Sequence, residues 1–576
     1  MARLARIWRI EFFSYKTGKK QYLYTPKKTD MKQIIECVPN FSEGRDKEVI
    51  RRITDAICSV EGIKLLDVDP GEATNRTVVT FAGEPGPVCE AAFLGARKAA
   101  ELIDMRKHHG AHPRSGATDV LPLIPVSGIT LEECAALARD LAKRLYEELG
   151  IPCYCYESAA LTPERKNLAV CREGEYEALR EKFADPHRKP DFGADYNEDV
   201  ARTGATNVGA RNFLVAVNFN LNTTSTRRAM AVAFDVREKG RVVDGKQIPG
   251  TLPGTKAIGW YIDEYGIAQV SMNITDIQAV PLHEAFEEVS RAASARGLRV
   301  TGAEIVGLVP KKVLVDAGKF YLSRQQRSLG IPEKEIIRIA IKSMSLDNLK
   351  PFNPEEKVIE YLLEEKRSGL LKDLTLEEFI RTTASESPAP GGGSVSAAMG
   401  AAGAALATMV ANLSAHKRGW DHRWKEFSDV AEKGQAVLES LIGLVDEDTD
   451  AFNRIMAVYS MPKNTADEIK AREEALEKAT LNAARVPLRT MEESLKALPL
   501  ALEMAVKGNP ASASDAAVAA LAASAAIKGA RLNVRINCSG LRDKSAAEEL
   551  LRRADQIAAE ASALEKKVLE EADKNI

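Results

Sequence analysis

Along the first three fifths of the chain, short apolar runs alternate with longer amphipathic stretches, a pattern typical of proteins that mix strands and helices. The runs with strand composition are residues 33–38, 64–69, 76–81, 213–219, 257–262 and 267–274. Residues 84–104 and 282–295 are predicted helices. Between the last two strands, Gly266 stands where a hairpin turn favours positive φ. This order predicts two α+β sandwich subdomains, at residues 31–209 and 210–344.

The C-terminal third has a different pattern. Ala and Leu dominate from residue 375 onward, and the stretch lacks runs with strand composition. It therefore predicts an all-α helical domain at residues 373–576. The intervening residues 345–372 contain Pro351, Pro354 and many Lys and Glu residues, which indicates a charged helical linker.

Residues 395–415 carry no charge, and the run is long enough to cross a bilayer. It consists mostly of Ala, Gly and Ser, which have little of the hydrophobicity that membrane insertion requires. Small side chains also let helices approach closely. The run therefore predicts a helix in the core of a soluble bundle or dimer rather than a membrane span.

The chain has 80 basic and 82 acidic residues, with 28% charged and 45% hydrophobic residues, which is typical of soluble globular proteins. Neither a nucleic-acid partner nor a membrane is expected from this balance. The first 30 residues differ, because eight Lys or Arg stand against Glu11 and Asp30. They lack the apolar core of a signal peptide. We interpret residues 1–30 as an upstream extension before a natural start at Met31, with a basic arm for membranes or RNA as the alternative.

The eight cysteines are scattered and form no CxxC pair, which favours a reducing, cytoplasmic location. Cys153 and Cys155 alternate around Tyr154, so they are predicted to lie on one face of a strand. We expect a buried pair of small apolar side chains there rather than a redox site.

A dense polar cluster at residues 107–120 holds His108, His109 and His112, three of the seven histidines. A metal site is one interpretation, but Gly110 and Pro113 disfavour the helix that would align His108 with His112. A base on a loop is the other interpretation, since histidine gains and loses protons near neutral pH. Arg114 beside the cluster is a natural partner for a carboxylate. From the chemistry alone, each of the three histidines remains a candidate base.

Several segments together resemble glutamate formiminotransferase: residues 36–44, 67–69, 74–77, 108–114, 190–193, 204–206 and 257–261. The resemblance implies that His112, which precedes Pro113-Arg114, is the catalytic base. It also implies that the loop at residues 194–203 helps to bind folate. The residues then expected to contact the substrates are Asp69, Asn75, Arg76, Arg114, Gly193, Ala194, Asp195, Thr203 and Gly204.

The helical domain offers a second candidate site on a predicted helix at residues 441–456. One face of this helix collects Leu441, Leu444, Val445, Asp448, Phe452, Ile455 and Met456. Asp448 is the carboxylate on that apolar stripe, whereas Asp446 and Asp450 are predicted to point elsewhere and to be solvated. An aspartate in this position either has a buried hydrogen-bond partner or has a raised pKa that suits proton transfer.

The same domain resembles formiminotetrahydrofolate cyclodeaminase, and the catalytic aspartate of that family falls on Asp448. The other residues expected at this site are Gly391, Gly392, Gly393, Ser394, Asn509 and Asp515. The glycine run precedes the small-residue helix, where free backbone N–H groups favour a carboxylate such as a folate tail. Close packing at a turn is the equal alternative for the three glycines.

The two resemblances cover about residues 31–570, in the order of the formiminotransferase-cyclodeaminase family. They imply transfer of the formimino group from N-formimino-L-glutamate to N5 of tetrahydrofolate, followed by cyclisation to 5,10-methenyltetrahydrofolate and loss of ammonia. Tetrahydrofolate is then a co-substrate, with polyglutamyl forms possible, and neither a metal nor a redox cofactor is expected. A cytoplasmic homo-oligomer built from dimers is also implied. Two alternatives for the helical domain are a methenyltetrahydrofolate cyclohydrolase and a non-catalytic module for folate binding or assembly.

Overall fold

A computed structural model describes residues 33–72, 74–110, 113–193, 195–363 and 369–576. The proposed extension at residues 1–30 and the proposed start at Met31 lie outside these ranges. The chain divides into two compact units, with the boundary between Phe213 and Leu214. Each unit is described by itself.

The first unit contains a mixed, seven-stranded sheet. Its strands are β1 (Ile34–Cys37), β2 (Asn40–Phe41), β3 (Lys64–Gly71), β4 (Arg76–Gly83), β5 (Thr118–Ser127), β6 (Cys153–Glu157) and β7 (Thr206–Ala210). The order along the sheet is β1-β4-β2-β5-β7-β6, and β3 pairs with β4 at its edge. β7 runs parallel to both β5 and β6, whereas the other pairings are antiparallel. Three of the predicted strands, β1, β3 and β4, are thereby confirmed.

The helices of this unit are α1 (Lys47–Cys58), α2 (Pro85–Leu102), α3 (Leu131–Leu149), α4 (Leu168–Cys171), α5 (Leu179–Ala184) and α6 (Glu198–Thr203). Apolar faces of α1, α2 and α3 pack with the sheet into one core. Cys153 and Cys155 are buried in that core, whereas Tyr154 and Tyr156 face a smaller cluster on the other side. The prediction that the two thiols share one buried face of a strand is confirmed.

The second unit begins with an antiparallel sheet of order β11-β12-β8-β13. Its strands are β8 (Val215–Leu221), β11 (Thr255–Ile262), β12 (Ile267–Ile274) and β13 (Val300–Val306), and β9 (Arg241–Val243) pairs separately with β10 (Lys246–Ile248). The predicted hairpin is confirmed, because β11 and β12 pair along their whole length and Gly266 has a φ of +64°.

Two helices lie between the strands of this sheet, α7 (Thr226–Val236) and α8 (Leu282–Ser294). The helices that follow it are α9 (Lys311–Arg324), α10 (Glu333–Met344), α11 (Pro354–Lys357) and α12 (Ile359–Leu363). Val358 and Ile359 are buried, and Val358 forms a parallel bridge with Val309. Val358 belongs to the core of this sheet, so this part of the predicted linker at residues 345–372 packs against it. In the sequence, Lys and Glu flank these two apolar residues and dominate the local composition.

The C-terminal region is helical, as predicted. Its helices are α13 (Leu376–Thr383), α14 (Gly392–Ala415), α15 (Trp424–Tyr459), α16 (Ala466–Lys507), α17 (Ala513–Ser539) and α18 (Lys544–Ala572). The small-residue helix α14 packs against α15, α16 and α17. A side chain at Gly403 would stand 2.8 Å from the carbonyl oxygen of Ala519, so a glycine there permits the close approach of α17.

Two helical segments of the described residues, Gly392–Ala415 and Pro510–Ser539, are long and apolar enough to cross a membrane. Of their most apolar windows, 61% and 56% of the residues are buried within the protein. A helix in the interior of a helical bundle has the same length and composition, since neighbouring helices cover part of its apolar surface. This agrees with the interpretation of residues 395–415 as core.

Candidate active sites

The candidate transferase site begins at the tight turn before β4. Asn75 is buried with a φ of +49°, a conformation that asparagine tolerates better than most residues. Its side-chain oxygen accepts a hydrogen bond from the N–H of Gly44 at 3.0 Å, and its amide nitrogen donates to the carbonyl oxygen of His109 at 3.1 Å. The turn thus connects the segment at residues 36–44 with the histidine cluster.

His108 is a buried support of this turn. Its Nε2 lies 2.8 Å from the carbonyl oxygen of Asn75, and Arg114 Nε donates to its Nδ1 at 3.4 Å. Burial lowers the pKa of the His108 imidazole, and the positive charge of Arg114 acts in the same direction. The neutral ring therefore donates through Nε2 and accepts through Nδ1. With both nitrogens engaged, His108 is the least suitable of the three histidines for proton exchange with a substrate.

His112, the base implied by the resemblance, and the preceding Ala111 lie outside the described residues. The backbone just before them is closely packed, because a side chain at Gly110 would stand 2.2 Å from the carbonyl oxygen of Thr74. His109 is exposed and lines a cavity of about 470 Å³. The described part of the cluster therefore presents one accessible imidazole beside the position of His112 in the sequence.

Arg114 lines the same cavity but is already paired. Its guanidinium donates to Glu175 at 3.0 Å and to both oxygens of Glu177 at 2.8 and 2.5 Å. Hydrogen bonds from Arg114 lower the pKa of the Glu177 carboxyl, so this pair is ionised at neutral pH. A substrate carboxylate at Arg114 would compete with these glutamates for its N–H donors. The sequence predicted the carboxylate-binding chemistry of Arg114 but not its partners.

Arg76 opens β4, and Asp69 lies exposed on the neighbouring β3. Burial lowers the pKa of the Arg76 guanidinium, which the negative charges of Asp119 and Asp69 partly oppose. Asp119 is fully buried, accepts a hydrogen bond from the N–H of Ser115 at 2.9 Å and forms an ion pair with Arg172. The structure therefore groups Arg76 with a buried ion pair that the sequence did not predict as part of the site.

The predicted folate loop is anchored at its C-terminal end. Gly193 and Asp195 are exposed, and Ala194 between them lies outside the described residues. At the other end, the carbonyl oxygen of Thr203 accepts a hydrogen bond from the N–H of Ala117 at 2.7 Å. Gly204 has a φ of +69°, and a side chain there would stand 2.3 Å from the carbonyl oxygen of Ser115. The structure thus brings the end of this loop against the segment that follows Arg114.

The second candidate site lies between α15 and the N-terminus of α14. Ser394 Oγ donates to Asp448 Oδ2 at 3.1 Å, and the backbone N–H of Ser394 also donates to this carboxylate. Burial raises the pKa of Asp448 in spite of these two hydrogen bonds. The structure therefore combines the two properties considered for this aspartate, a hydrogen-bond partner and a raised pKa.

The glycine run is shaped around that carboxylate. A side chain at Gly393 would stand 2.1 Å from Asp448 Oδ1, which leaves no room for any other residue. The helix N-terminus begins after Gly391 and has no side-chain cap. Close packing therefore accounts for Gly393. The carboxylate that lies at the N-terminus of α14 is the side chain of Asp448.

The apolar stripe around Asp448 is buried at one end only. Leu441, Leu444 and Val445 are buried, but Phe452 and Met456 are 39% and 48% exposed. The buried face of α15 passes instead through Ala451 and Val458, which are seven residues apart. Large apolar side chains are therefore exposed one to two turns beyond the carboxylate.

Asp446, predicted to be solvated, has a structural role. Its Oδ1 accepts a hydrogen bond from the N–H of Leu371 at 2.7 Å, and its Oδ2 is buried. The prediction was wrong because the partner is a backbone group from a segment distant in sequence, which the helical pattern of α15 does not reveal.

Asn509 and Asp515 do not lie near Asp448 within the chain. The N–H of Asn509 donates to Ser414 Oγ at 2.8 Å, and Asp515 stands in the first turn of α17. Ser414 and Ser394 are separated along α14 by about 30 Å at the usual rise per residue. The structure therefore does not bring these two predicted residues together with the glycine run.

Three domain families match the chain in sequence order. "Formiminotransferase domain, N-terminal subdomain" covers residues 34–211, "Formiminotransferase domain" covers residues 216–364, and "Formiminotransferase-cyclodeaminase" covers residues 375–556. The formimidoyltransferase-cyclodeaminase of Rattus norvegicus is 43% identical over 532 residues, which are 92% of this chain and 97% of that protein. The chain belongs to the formimidoyltransferase-cyclodeaminase family. It is a bifunctional enzyme with a transferase and a cyclodeaminase part, as the sequence predicted.

Each part of the chain also has a separate relative. The glutamate formimidoyltransferase of Thermoplasma acidophilum is 43% identical over 291 residues, which are 50% of this chain and 92% of that protein. The methenyltetrahydrofolate cyclohydrolase of Methylorubrum extorquens is 39% identical over 196 residues, which are 34% of this chain and 94% of that protein.

The sequence patterns did not reveal several groups at the two candidate sites: Asp119, Arg172, Glu175, Glu177 and Asn533. Asp119 could have been found, because it lies inside the polar cluster at residues 107–120. The remaining four come from distant segments, as Asn533 on α17 illustrates, since its amide lies next to Gly392. Within the described residues, no group of three or more His, Cys, Asp or Glu side chains is arranged to hold a metal ion.

Proposed function

We propose that this enzyme transfers the formimino group of N-formimino-L-glutamate to N5 of tetrahydrofolate and then closes the ring to 5,10-methenyltetrahydrofolate with release of ammonia. Both steps keep the one-carbon unit at the same oxidation level, so tetrahydrofolate acts as co-substrate and no redox cofactor is needed. The reactions connect histidine degradation with one-carbon metabolism. The scheme also needs no metal ion, because the nucleophile of each step is a folate nitrogen and each C–N bond that forms or breaks is accompanied by proton transfer at nitrogen.

The observation that supports the second step is the environment of Asp448. Ring closure requires N10 to attack the carbon bound to N5, after which a proton must reach the nitrogen that leaves as ammonia. A buried carboxyl with a raised pKa gains and loses protons closer to neutrality than an exposed aspartate does. The attack is intramolecular, so the domain has only to hold the folate and move the proton.

For the first step, we propose that His112 accepts the proton of N5 as that nitrogen attacks the formimino carbon. The base then returns this proton to the glutamate nitrogen, so that glutamate leaves as the free amine. The engagement of both ring nitrogens of His108 supports this choice, because it removes one of three candidate histidines. His109 remains the competitor, since its exposed ring lines the cavity beside Arg114.

The decisive experiment uses the purified full-length chain with formiminoglutamate and tetrahydrofolate. Glutamate formation reports the transfer, whereas ammonia and the near-ultraviolet absorbance of methenyltetrahydrofolate report the cyclisation. We expect wild type to make all three products, His112→Ala to make none, and Asp448→Asn to form glutamate but release no ammonia.

The matched control for Asp448→Asn is Asp429→Asn. Asp429 is an exposed carboxylate on the same helix, bound to Lys425 one turn away. Its removal should leave both steps unchanged. If Asp448→Asn releases ammonia at the wild-type rate, Asp448 is not the proton donor, and the helical domain would serve to bind folate or to assemble the protein.

The second candidate activity for the helical domain is hydrolysis of methenyltetrahydrofolate, the reaction named for the Methylorubrum extorquens relative. Water would then attack the one-carbon bridge, and Asp448 would assist that attack. Synthetic 5-formiminotetrahydrofolate and methenyltetrahydrofolate, offered separately, distinguish the two activities. Faster turnover of the methenyl compound would favour the cyclohydrolase.

We further propose that the enzyme is a cytoplasmic homo-oligomer built from dimers. Its folate substrates would include polyglutamyl forms. The eight cysteines of the described chain are unpaired thiols, which suits a reducing compartment. The small residues of α14 pack within the chain, so the dimer contact is better assigned to the exposed Met409, Leu413, Val518 and Leu521 on α14 and α17. Light scattering would give the mass, and Leu413→Lys with Leu521→Lys should reduce it if these residues form the contact.

A further inference from the structure

A cavity of about 680 Å³ in the first unit belongs to neither candidate site. Its walls include Tyr154 on β6, the side chains of Arg165 and Lys182, and the segment that carries Arg188 and Lys189. This volume lies within the usual range for small-molecule sites. None of the residues proposed for transfer or cyclisation lines it.

Lys182 is the most unusual group in this cavity. Lys182 is only 2% exposed. Its ammonium donates a hydrogen bond to the carbonyl oxygen of Cys171 and lies 4.7 Å from the ring centroid of Tyr154. Among the described residues, no carboxylate forms an ion pair with it. Burial lowers the pKa of Lys182 to about 8, and the charges of Arg188 and Arg165 act in the same direction, against the opposing charge of Glu173.

The carboxylates that line the cavity have other partners. Asp191 is bound through one oxygen to Arg165 and accepts a hydrogen bond from the N–H of Cys155 at 2.8 Å through the other. Glu173 is largely exposed and stands 3.8 Å from Arg188. Glu164 is exposed and accepts a hydrogen bond from the side chain of Thr162. The positive charge of Lys182 is therefore not neutralised by these groups, and an ammonium in a buried position without a counter-charge is costly.

The cavity wall is held in place by hydrogen bonds from its backbone. Tyr154 Oη donates to the carbonyl oxygen of Arg188 at 3.0 Å, and Arg165 donates to that of Lys189 at 2.7 Å. The segment is thus fixed before any ligand arrives, which lowers the entropic cost of binding. Such a wall presents its cations in a constant arrangement.

We propose that this cavity binds a single anionic group, a carboxylate or a phosphate, with Lys182 as the counter-charge and Arg188 as a second donor. An anion that enters would take the remaining hydrogens of the Lys182 ammonium and form charge-assisted hydrogen bonds. Because the walls contain Tyr154 and Val170 as well as cations, the remainder of the ligand can be partly apolar.

The first test measures thermal unfolding of the full chain in sodium phosphate, sodium glutamate and sodium chloride at equal ionic strength. We expect a saturable rise of about 2–4 °C with phosphate, with glutamate, or with both, relative to chloride. A response to phosphate alone identifies a phosphate ligand, and a response to glutamate identifies a carboxylate. A midpoint that is the same in all three salts would overturn the proposal.

Two variants locate the effect. Lys182→Met removes the charge while keeping the length of the side chain, and it should abolish the specific rise. Lys166→Met removes an exposed lysine outside the cavity wall and should retain it. An equal rise in Lys182→Met and wild type would place the anion elsewhere and would contradict the assignment to Lys182.

A second readout uses only wild type, in case Lys182→Met does not fold. Acetic anhydride at pH 8 acetylates free amines, and peptide mass spectrometry gives the rate at each lysine. Saturating anion should slow the acetylation of Lys182 at least fivefold relative to that of Lys166. An unchanged ratio of the two rates would overturn the proposal.

Discussion

The candidate transferase site and the candidate cyclodeaminase site differ in the backbone that carries them. The first is assembled from turns and loops at the end of a sheet, and its charges are paired with one another, as Arg114 with Glu175 and Glu177 shows. The second lies between two long helices and contains one carboxylate that is held by Ser394. One site is a network of charges, and the other is a single acid in a closely packed contact.

This difference determines how each site should respond to substitution. When one residue of a network of hydrogen bonds and ion pairs is removed, the neighbouring residues lose hydrogen-bond partners too. Substitution of a supporting residue therefore lowers stability and activity together. In a packed contact, the added volume of one methyl group acts directly on the functional atom. The predictions below test this contrast in order of decreasing effect.

The largest effect is expected from the three histidines of the transferase cluster. His112→Ala should lower the rate of glutamate formation by about 10²–10⁴-fold, because it removes a general base. His109→Ala should lower that rate by less than tenfold. Initial rates with formiminoglutamate and tetrahydrofolate give the comparison, and a greater loss in His109→Ala than in His112→Ala would exchange their roles.

His108→Ala supplies the control for this series. Since His108 supports Asn75 and receives a hydrogen bond from Arg114, its removal should destabilise the protein by about 1–3 kcal/mol. The surviving folded protein should retain transfer activity better than His112→Ala does. Thermal unfolding measured beside the initial rate separates the two effects.

The helical site was easier to predict from the sequence than the transferase site, for a physical reason. A helix repeats every 3.6 residues, so Asp448 among apolar neighbours on one face could be recognised from spacing alone. The turn around Asn75 has no such period. Its contacts with Gly44 and His109 join segments about 31 and 34 residues away, which only the folded sheet brings together.

The failures of prediction have the same origin. Periodicity predicted that Asp446 points away from the stripe around Asp448, but it could not reveal Leu371 as its partner. Likewise, the pairing of Arg114 with Glu177 depends on the loop that follows β6. The fold class followed from the order of strands and helices, whereas the polar partners depend on long-range geometry that a single sequence does not encode in any local pattern.

The next effect concerns the glycine that faces the carboxylate. Gly393→Ala would place a methyl group 2.1 Å from Asp448 Oδ1, so the carboxylate or the helix must move. We expect about a 10²-fold loss of ammonia release from this misplacement and a destabilisation of about 1–3 kcal/mol. Glutamate formation should stay near the wild-type rate, and both products can be measured in one assay.

Gly443→Ala is the matched control on α15. Gly443 is exposed, and a side chain there meets no atom within 4 Å. The substitution should leave ammonia release unchanged and stabilise the helix by about 0.5–1 kcal/mol. If Gly393→Ala behaves like Gly443→Ala, the contact with Asp448 is not as tight as the structure places it.

Asn75 should show the shared response expected of the network. Asn75→Ala removes the hydrogen bonds with Gly44 and His109 and places alanine at positive φ, which should cost about 1–3 kcal/mol and lower transfer activity. Asn75→Gly removes the same bonds without the backbone strain and should lose less stability. Equal unfolding free energies for the two variants would show that the positive φ contributes nothing.

The smallest effect is a difference in the pH dependence of stability between the two sites. Burial raises the pKa of folded Asp448, so its ionisation destabilises the folded chain progressively as pH rises from about 4, where an unfolded aspartate ionises, through the raised value. Asp448→Asn should therefore match wild type in acid and exceed it at neutral pH by up to about 1 kcal/mol.

Glu177 has the opposite sign, because hydrogen bonds from Arg114 lower its pKa. The stability that it contributes is present above the pKa of an unfolded glutamate and is lost as pH falls through the lowered value. Thermal unfolding of Asp448→Asn and Glu177→Gln between about pH 3 and pH 8 measures both. A gain for Asp448→Asn that is the same at every pH would mean that packing, rather than the charge of the carboxylate, sets the cost of this site.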